Sequence, residues 1–122
     1  MRKYSVIIFL GIIIISLLIV SSCHWSFKPK KPECFEKENM LYLEFNGEVI
    51  RKFRDHDNHN YNALIVEDFK NRKKIKMFFI NEKSGSFNLI NLEDTLVKKL
   101  NTLVIIDVSQ KKEFKLLYDC DE

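Results

Sequence analysis

The sequence predicts an all-β domain, a small single-domain β-barrel or sandwich of about six to seven short antiparallel strands. Three observations lead there. Past residue 40, apolar and polar residues alternate with a period of two, in short runs. Clusters of Asn, Asp, Gly, Ser and Lys punctuate those runs. The stretch holding them is about 80 residues long and shows no internal repeat, enough for one modest core burying roughly 60–65% of the unfolded surface.

The elements follow in order. Leu41, Leu43 and Phe45 alternate with Tyr42 and Glu44, and Asn46-Gly47 then supplies a favoured two-residue hairpin turn. Residues 48–54 return as the second strand, and 55–60 form a polar loop. A third strand covers 61–69, dense in Ala63, Leu64, Ile65 and Val66. Asn71-Arg72-Lys73-Lys74 turns the chain, after which Ile75, Met77 and Phe79 face one way against Lys76, Phe78 and Ile80. A glycine-containing loop over 81–86 precedes a short strand over 87–90. Within 92–100, Leu92, Leu96 and Leu100 fit a short helix with Asn91 as N-cap and Asp94 in its first turn. The same residues could form an irregular crossover. Residues 102–108 read as a strand buried on both faces, 109–112 as a turn, and Phe114, Leu116 and Tyr118 as the inward side of a closing strand.

Two segments precede the domain, which spans 40–122. Residues 23–39 contain both prolines, in Lys28-Pro29-Lys30-Lys31-Pro32, and read as a tether. At ~3.1 Å per residue it would reach up to ~50 Å. Residues 1–22 carry Arg2 and Lys3, then an apolar run from Val6 to Val20 broken only by Gly11 and Ser16. As helix that run reaches roughly 22 Å, short of a ~30 Å hydrocarbon core. Small residues Ser21 and Ser22 follow, then Cys23. A basic start, a short apolar run and small residues form a secretory signal. Val20-Ser21-Ser22-Cys23 resembles the lipobox of bacterial lipoproteins, with Cys23 as the lipid-attachment residue. That resemblance implies removal of 1–22, thioether-linked diacylglycerol and an N-acyl chain such as palmitate on Cys23. The alternative is an uncleaved anchor helix with Tyr4 and Trp25 at the membrane surface.

The signal reading shapes what remains. The leader takes two positive charges from a formal +3, leaving about +1. Such a chain lacks the concentrated basic footprint of a nucleic-acid binder. Cys34 and Cys120 would sit in an oxidising compartment, either bridged or as two free thiols. His24 after the cysteine, by analogy with enterobacterial sorting, favours the outer membrane, facing the periplasm.

From Gly47 onward the chain also resembles small lipoproteins of the Bacteroidota type. The matching residues are Gly47, Asn58-His59 and Asp94-Thr95-Leu96-Val97-Lys98, with Glu93 where that pattern has glycine. The resemblance implies a compact extracytoplasmic β-domain and transfers no activity.

Asp55, His56, Asp57 and His59 are the one dense set of potential ligands, chemically suited to zinc, nickel or copper. A loop imposes no fixed ligand geometry, and Asp and Asn suit turns, so no metal or other cofactor is expected. His59 reads as a loop-ordering residue. Asp94, beside Glu93, reads as a cap and not a catalytic carboxylate. Lys98 and Lys99 read as solvated surface, and the ten phenylalanines as core. With no nucleophile elbow, zinc-protease helix or phosphate-cradling loop, no enzyme activity is expected. The expected role is a membrane-anchored binding or structural module of the cell envelope, partnered by an envelope protein or peptidoglycan. The alternatives are a tethered inhibitor or immunity protein, or a metal-binding protein using 55–59.

Overall fold

The computed structural model describes residues 2–22 and 28–120, with side chains described for 7–19 and 28–120. In helix α1 (Arg2–Ser22) the described residues, 7–19, are apolar apart from Ser16 and exposed apart from the half-covered Gly11. Helix α2 (Pro32–Tyr42) follows, then β1 (Phe45–Asp55), β2 (Tyr61–Asp68), β3 (Lys74–Phe79), the short helix α3 (Ser86–Leu89), β4 (Thr95–Lys98), β5 (Val104–Asp107) and β6 (Lys112–Lys115).

All six strands join one antiparallel sheet in the order β3-β2-β1-β4-β5-β6. The β-rich character and the six antiparallel strands are as expected; the sheet is single and open, which corrects the barrel and supplies only one of the two layers of a sandwich. Closure would require β3 to pair with β6. Instead the Glu36 side chain in α2 accepts the N–H groups of Ile80 and Asn81 just past β3. Beyond β6, the Leu117 carbonyl accepts the Lys83 N–H, so that edge is partnered by a loop.

β1 is the long central element. It pairs with β2 along its whole length, with a bulge at Ile50, and its first four residues also pair with β4. The hairpin expected at Asn46-Gly47 does not form; the chain runs straight through it. Gly47 is required for another reason: a Cβ there would lie 2.1 Å from the Glu67 carbonyl oxygen on β2. Close backbone approach is the other common use of a strand glycine.

Helix α2 occupies residues expected to be tether and first strand. Pro32 fits the first helical turn, where its missing N–H is no loss, and Glu33 complements the helix dipole. Cys34 and Met40 face the core. An 11-residue helix is marginal alone, and tertiary bonds hold this one. Asn101 N–H donates to the Leu41 carbonyl, and Lys98 Nζ donates to the Leu43 carbonyl at 2.8 Å.

Two further expectations are corrected. Residues 86–89 are helical where a strand was expected, started by Gly85 at φ 75°. Residues 95–98 are strand where a helix or crossover was expected: Leu96 is fully buried, yet Leu92 and Leu100 are 54% and 48% exposed, so the leucine spacing marks no common face. The core lies on one side of the sheet. Phe45, Val49, Leu64, Val66, Leu96, Ile105 and Phe114 come from strands, closed over by Met40, Ile90 and Leu116.

Candidate functional site

Cys23, the expected lipid-attachment residue, lies outside the described residues. Helix α1 ends one residue before it. Among the described residues no helix is long and apolar enough to cross a membrane. Cys34 and Cys120 are joined by a disulfide with their Cα atoms 5.2 Å apart. The bond staples α2 to the chain beyond β6.

The loop after β1 spends its ligand-type residues on its own backbone. The Asp55 carbonyl accepts the N–H groups of Asn58 and Asn60, and its carboxylate accepts the Asp57 N–H and the Asn58 side-chain amide. Lys76 on β3 pairs with the same carboxylate. These hydrogen bonds, Lys76's first, hold the Asp55 carboxyl below its usual range. His56 pairs with the Asn60 side chain, and His59 lies against Tyr61 with ring centroids 5.5 Å apart. His59 and Asn60 take left-handed backbone conformations at φ 53° and 59°. The four residues are therefore not convergent. Among the described residues no group of three or more His, Cys, Asp and Glu could hold a metal ion.

A buried polar cluster joins Asp94, Asp107, Gln110 and Lys52. Asp94 caps the turn before β4 by accepting the Asn91 N–H. The Gln110 amide donates to Asp94, Asp107 and the Leu89 carbonyl, while its backbone N–H donates to Asp107. Burial pushes both carboxyls up. For Asp94, hydrogen bonds from Asp107, Gln110 and Asn91 outweigh that and hold it low. For Asp107, burial and Asp94 together raise it. Asp107 has no exposed surface, so a substrate could not reach it. The cluster locks a turn. Sequence reading assigned the cap at Asp94 but missed Asp107, whose position inside the apolar run 103–108 was the available signal.

Lys98 is a second correction. It was expected on the surface and is 1% exposed, its ammonium held by the Leu43 and Lys99 carbonyls. Burial lowers its pKa.

A cavity of about 770 Å³ lies between α2 and β3, within the range of ligand sites. Phe35 and Tyr42 from α2 and Lys76, Met77 and Phe78 from β3 line it. Phe35, Tyr42 and Ile80 beside it are exposed, an apolar surface unusual for a chain with a formed core. The phenylalanines therefore divide: Phe45, Phe79 and Phe114 are buried as expected, while Phe35 and Phe69 face outward.

The chain matches no protein-family model, no curated protein and no solved structure. Its function must be argued from these residues alone.

Proposed function

We propose that this chain is a lipid-anchored cell-envelope protein whose β-domain works as a binding or structural module and not as an enzyme. The observation that carries the reading is the run Val20-Ser21-Ser22-Cys23 at the end of a basic-then-apolar helix. The described side chains of α1, residues 7–19, are outside the buried core, which fits a segment removed from the finished protein. The Cys34–Cys120 disulfide supports an oxidising location, since such bonds persist outside the reducing cytosol. Lipid on Cys23 would supply the two or more anchoring chains that stable attachment needs. From there the domain, stapled at α2, would present the groove beside β3 to an envelope protein or to peptidoglycan, with the outer membrane's periplasmic face as the proposed address.

Metabolic labelling with a radiolabelled or clickable palmitate tests the anchor. Wild-type chain should take up label and run as a shortened mature form, while Cys23→Ala should take up none and retain its leader. Cleavage of Cys23→Ala at the wild-type position would refute the lipoprotein reading. In-cell crosslinking followed by mass spectrometry then names the partner.

A further inference from the structure

We propose that the open edge of β3, with the facing wall of α2, docks an extended acidic polypeptide segment that joins the sheet as an added strand. This deepens the binding-module reading and rests on it, while requiring nothing of the lipid anchor.

The ladder shows which backbone groups are open. The Asp68 N–H donates to the Lys73 carbonyl, and Val66 opposes Ile75. Antiparallel pairing alternates between bonded and non-bonded pairs, so 73, 75, 77 and 79 bond to β2. Lys74, Lys76 and Phe78 then turn their N–H and C=O groups outward. Ile80 keeps that parity, and its N–H is the one Glu36 accepts at 2.9 Å. Glu36 thus covers one end of the edge and leaves the rest. Successive strand side chains point to opposite faces. A groove lined by Lys76, Met77 and Phe78 in succession must therefore run beside the strand and not across one face. A free edge bordered by a helix is the arrangement into which peptides add as strands.

Charge selects the occupant. Residues 70–76 hold five cations and no anion. Lys76 is engaged by Asp55, Arg72 by Glu67 and Lys70 lies in the field of Asp68, while Lys73 and Lys74 are exposed and make no ion pair among the described residues. Glu36 marks the opposite end of the groove with negative charge. A segment with apolar residues against Phe35, Tyr42 and Phe78 and acidic ones confined to the end near Lys73 and Lys74 fits this division, keeping its carboxylates away from Glu36. A second copy would bring another basic strand to this edge, so it is the poorer occupant. The Cys34–Cys120 bond fixes the α2 wall in advance, which lowers the cost of ordering the site on binding.

Fluorescence anisotropy on the full chain in detergent tests this, with a labelled peptide of about eight residues, valines in one half and glutamates in the other. Saturable binding is expected, with the valine–lysine counterpart weaker by about tenfold or more. Lys76→Pro removes one outward N–H and leaves the bonds of β3 to β2 intact. Lys76→Met loses the same charge and the same Asp55 pair but keeps the N–H. The proline variant should bind about fivefold more weakly than the methionine variant, the worth of one hydrogen bond. Lys74→Glu, an exposed change, should also weaken binding and serves if Lys76→Pro unfolds. Absence of saturable binding would overturn the inference. So would equal binding of the lysine peptide, equal binding by the two Lys76 variants, or indifference to Lys74→Glu. A concentration-dependent dimer abolished by Lys76→Pro would overturn it too, assigning the edge to a second copy. The same assay separates the two claims: a wild-type chain that takes up no lipid yet binds the peptide sinks only the anchor. A partner crosslinked away from β3, with no peptide binding, sinks only the groove.

Discussion

Removing the Cys34–Cys120 bond as Cys34→Ala/Cys120→Ala, so that no lone thiol remains, is the perturbation whose size the structure defines best. The bonded residues are 86 apart in sequence. In the chain-entropy treatment a loop of that length restricts the unfolded state by about 4.5 kcal/mol. A domain of this size has a net stability of roughly 5–10 kcal/mol, so the double variant should lose about half or more of it. Its Tm should fall by about 20 °C or more. Urea titration followed by far-UV circular dichroism, with and without the bond, measures the loss directly. The slope of free energy against urea should rise in the variant, because an unlinked denatured chain exposes more surface. Hydrogen exchange should quicken in α2 more than in β1 and β2, because α2 is then held to the sheet chiefly by the Met40 contact, the Glu36 bonds and the bonds to the Leu41 and Leu43 carbonyls at its C-terminal end. A loss under about 1 kcal/mol with an unchanged slope would refute the reasoning.

Other substitutions probe separate links. Gly47→Ala pushes a methyl to 2.1 Å from a backbone oxygen that cannot rotate away; thermal melts should show a loss of about 3 kcal/mol or non-folding. Glu93 holds a left-handed backbone at φ 73° while exposed, so Glu93→Gly should stabilise by up to about 1 kcal/mol in the same assay. Asp107 binds its proton more tightly folded than unfolded. Its contribution is therefore full below the unfolded carboxyl pKa and lost as pH rises through the raised folded value. Asp55, Asp68 and Asp94 are shifted the other way, so they remove stability as pH falls below the unfolded range. Melts from acid to neutral pH should show Asp107→Asn flattening the decline on the neutral side, with the acid limb retained. Glu36, also raised chiefly by burial, leaves some decline in place. An unchanged neutral-side slope would count against burial and Asp94 raising the Asp107 carboxyl.

The hairpin of β2 and β3 was legible because alternation and turn chemistry agree there: Ala63 to Val66 and Ile75 to Phe79 form strands joined near Asn71, as the pattern indicates. Elsewhere local signals were right in kind and wrong in use. Asn46-Gly47 is a strong turn signal, yet the glycine serves close approach to Glu67. The prolines of 29 and 32 suggested a linker, whereas Pro32 opens a helix with only two buried residues, Cys34 and Met40. An amphipathic face that narrow hardly shows in a sequence. Leu92, Leu96 and Leu100 matched a helical spacing, but only Leu96 is buried. Lys98 and Asp107 were hardest to place because their burial depends on carbonyls and carboxyls supplied by distant segments. The disulfide was one of two open readings, and only a folded chain brings Cys34 and Cys120 together. The groove beside β3 was not legible at all, since it needs α2, which sequence reading had treated as tether.

Glu93 is instructive in the other direction. The structure gives Glu93 the positive φ that glycine adopts freely, where the sequence alone offered no local turn signal. The Glu93 N–H then donates to the Val49 carbonyl, tying the turn to β1. The bond explains how a glutamate is kept in that conformation.

The most direct test of the central claim is the mass of the N-terminal peptide of the protein isolated from its native membrane. The account predicts a chain beginning at Cys23, heavier than its sequence by a diacylglycerol and an acyl group. A chain retaining residues 1–22, or one with an unmodified Cys23, would contradict it.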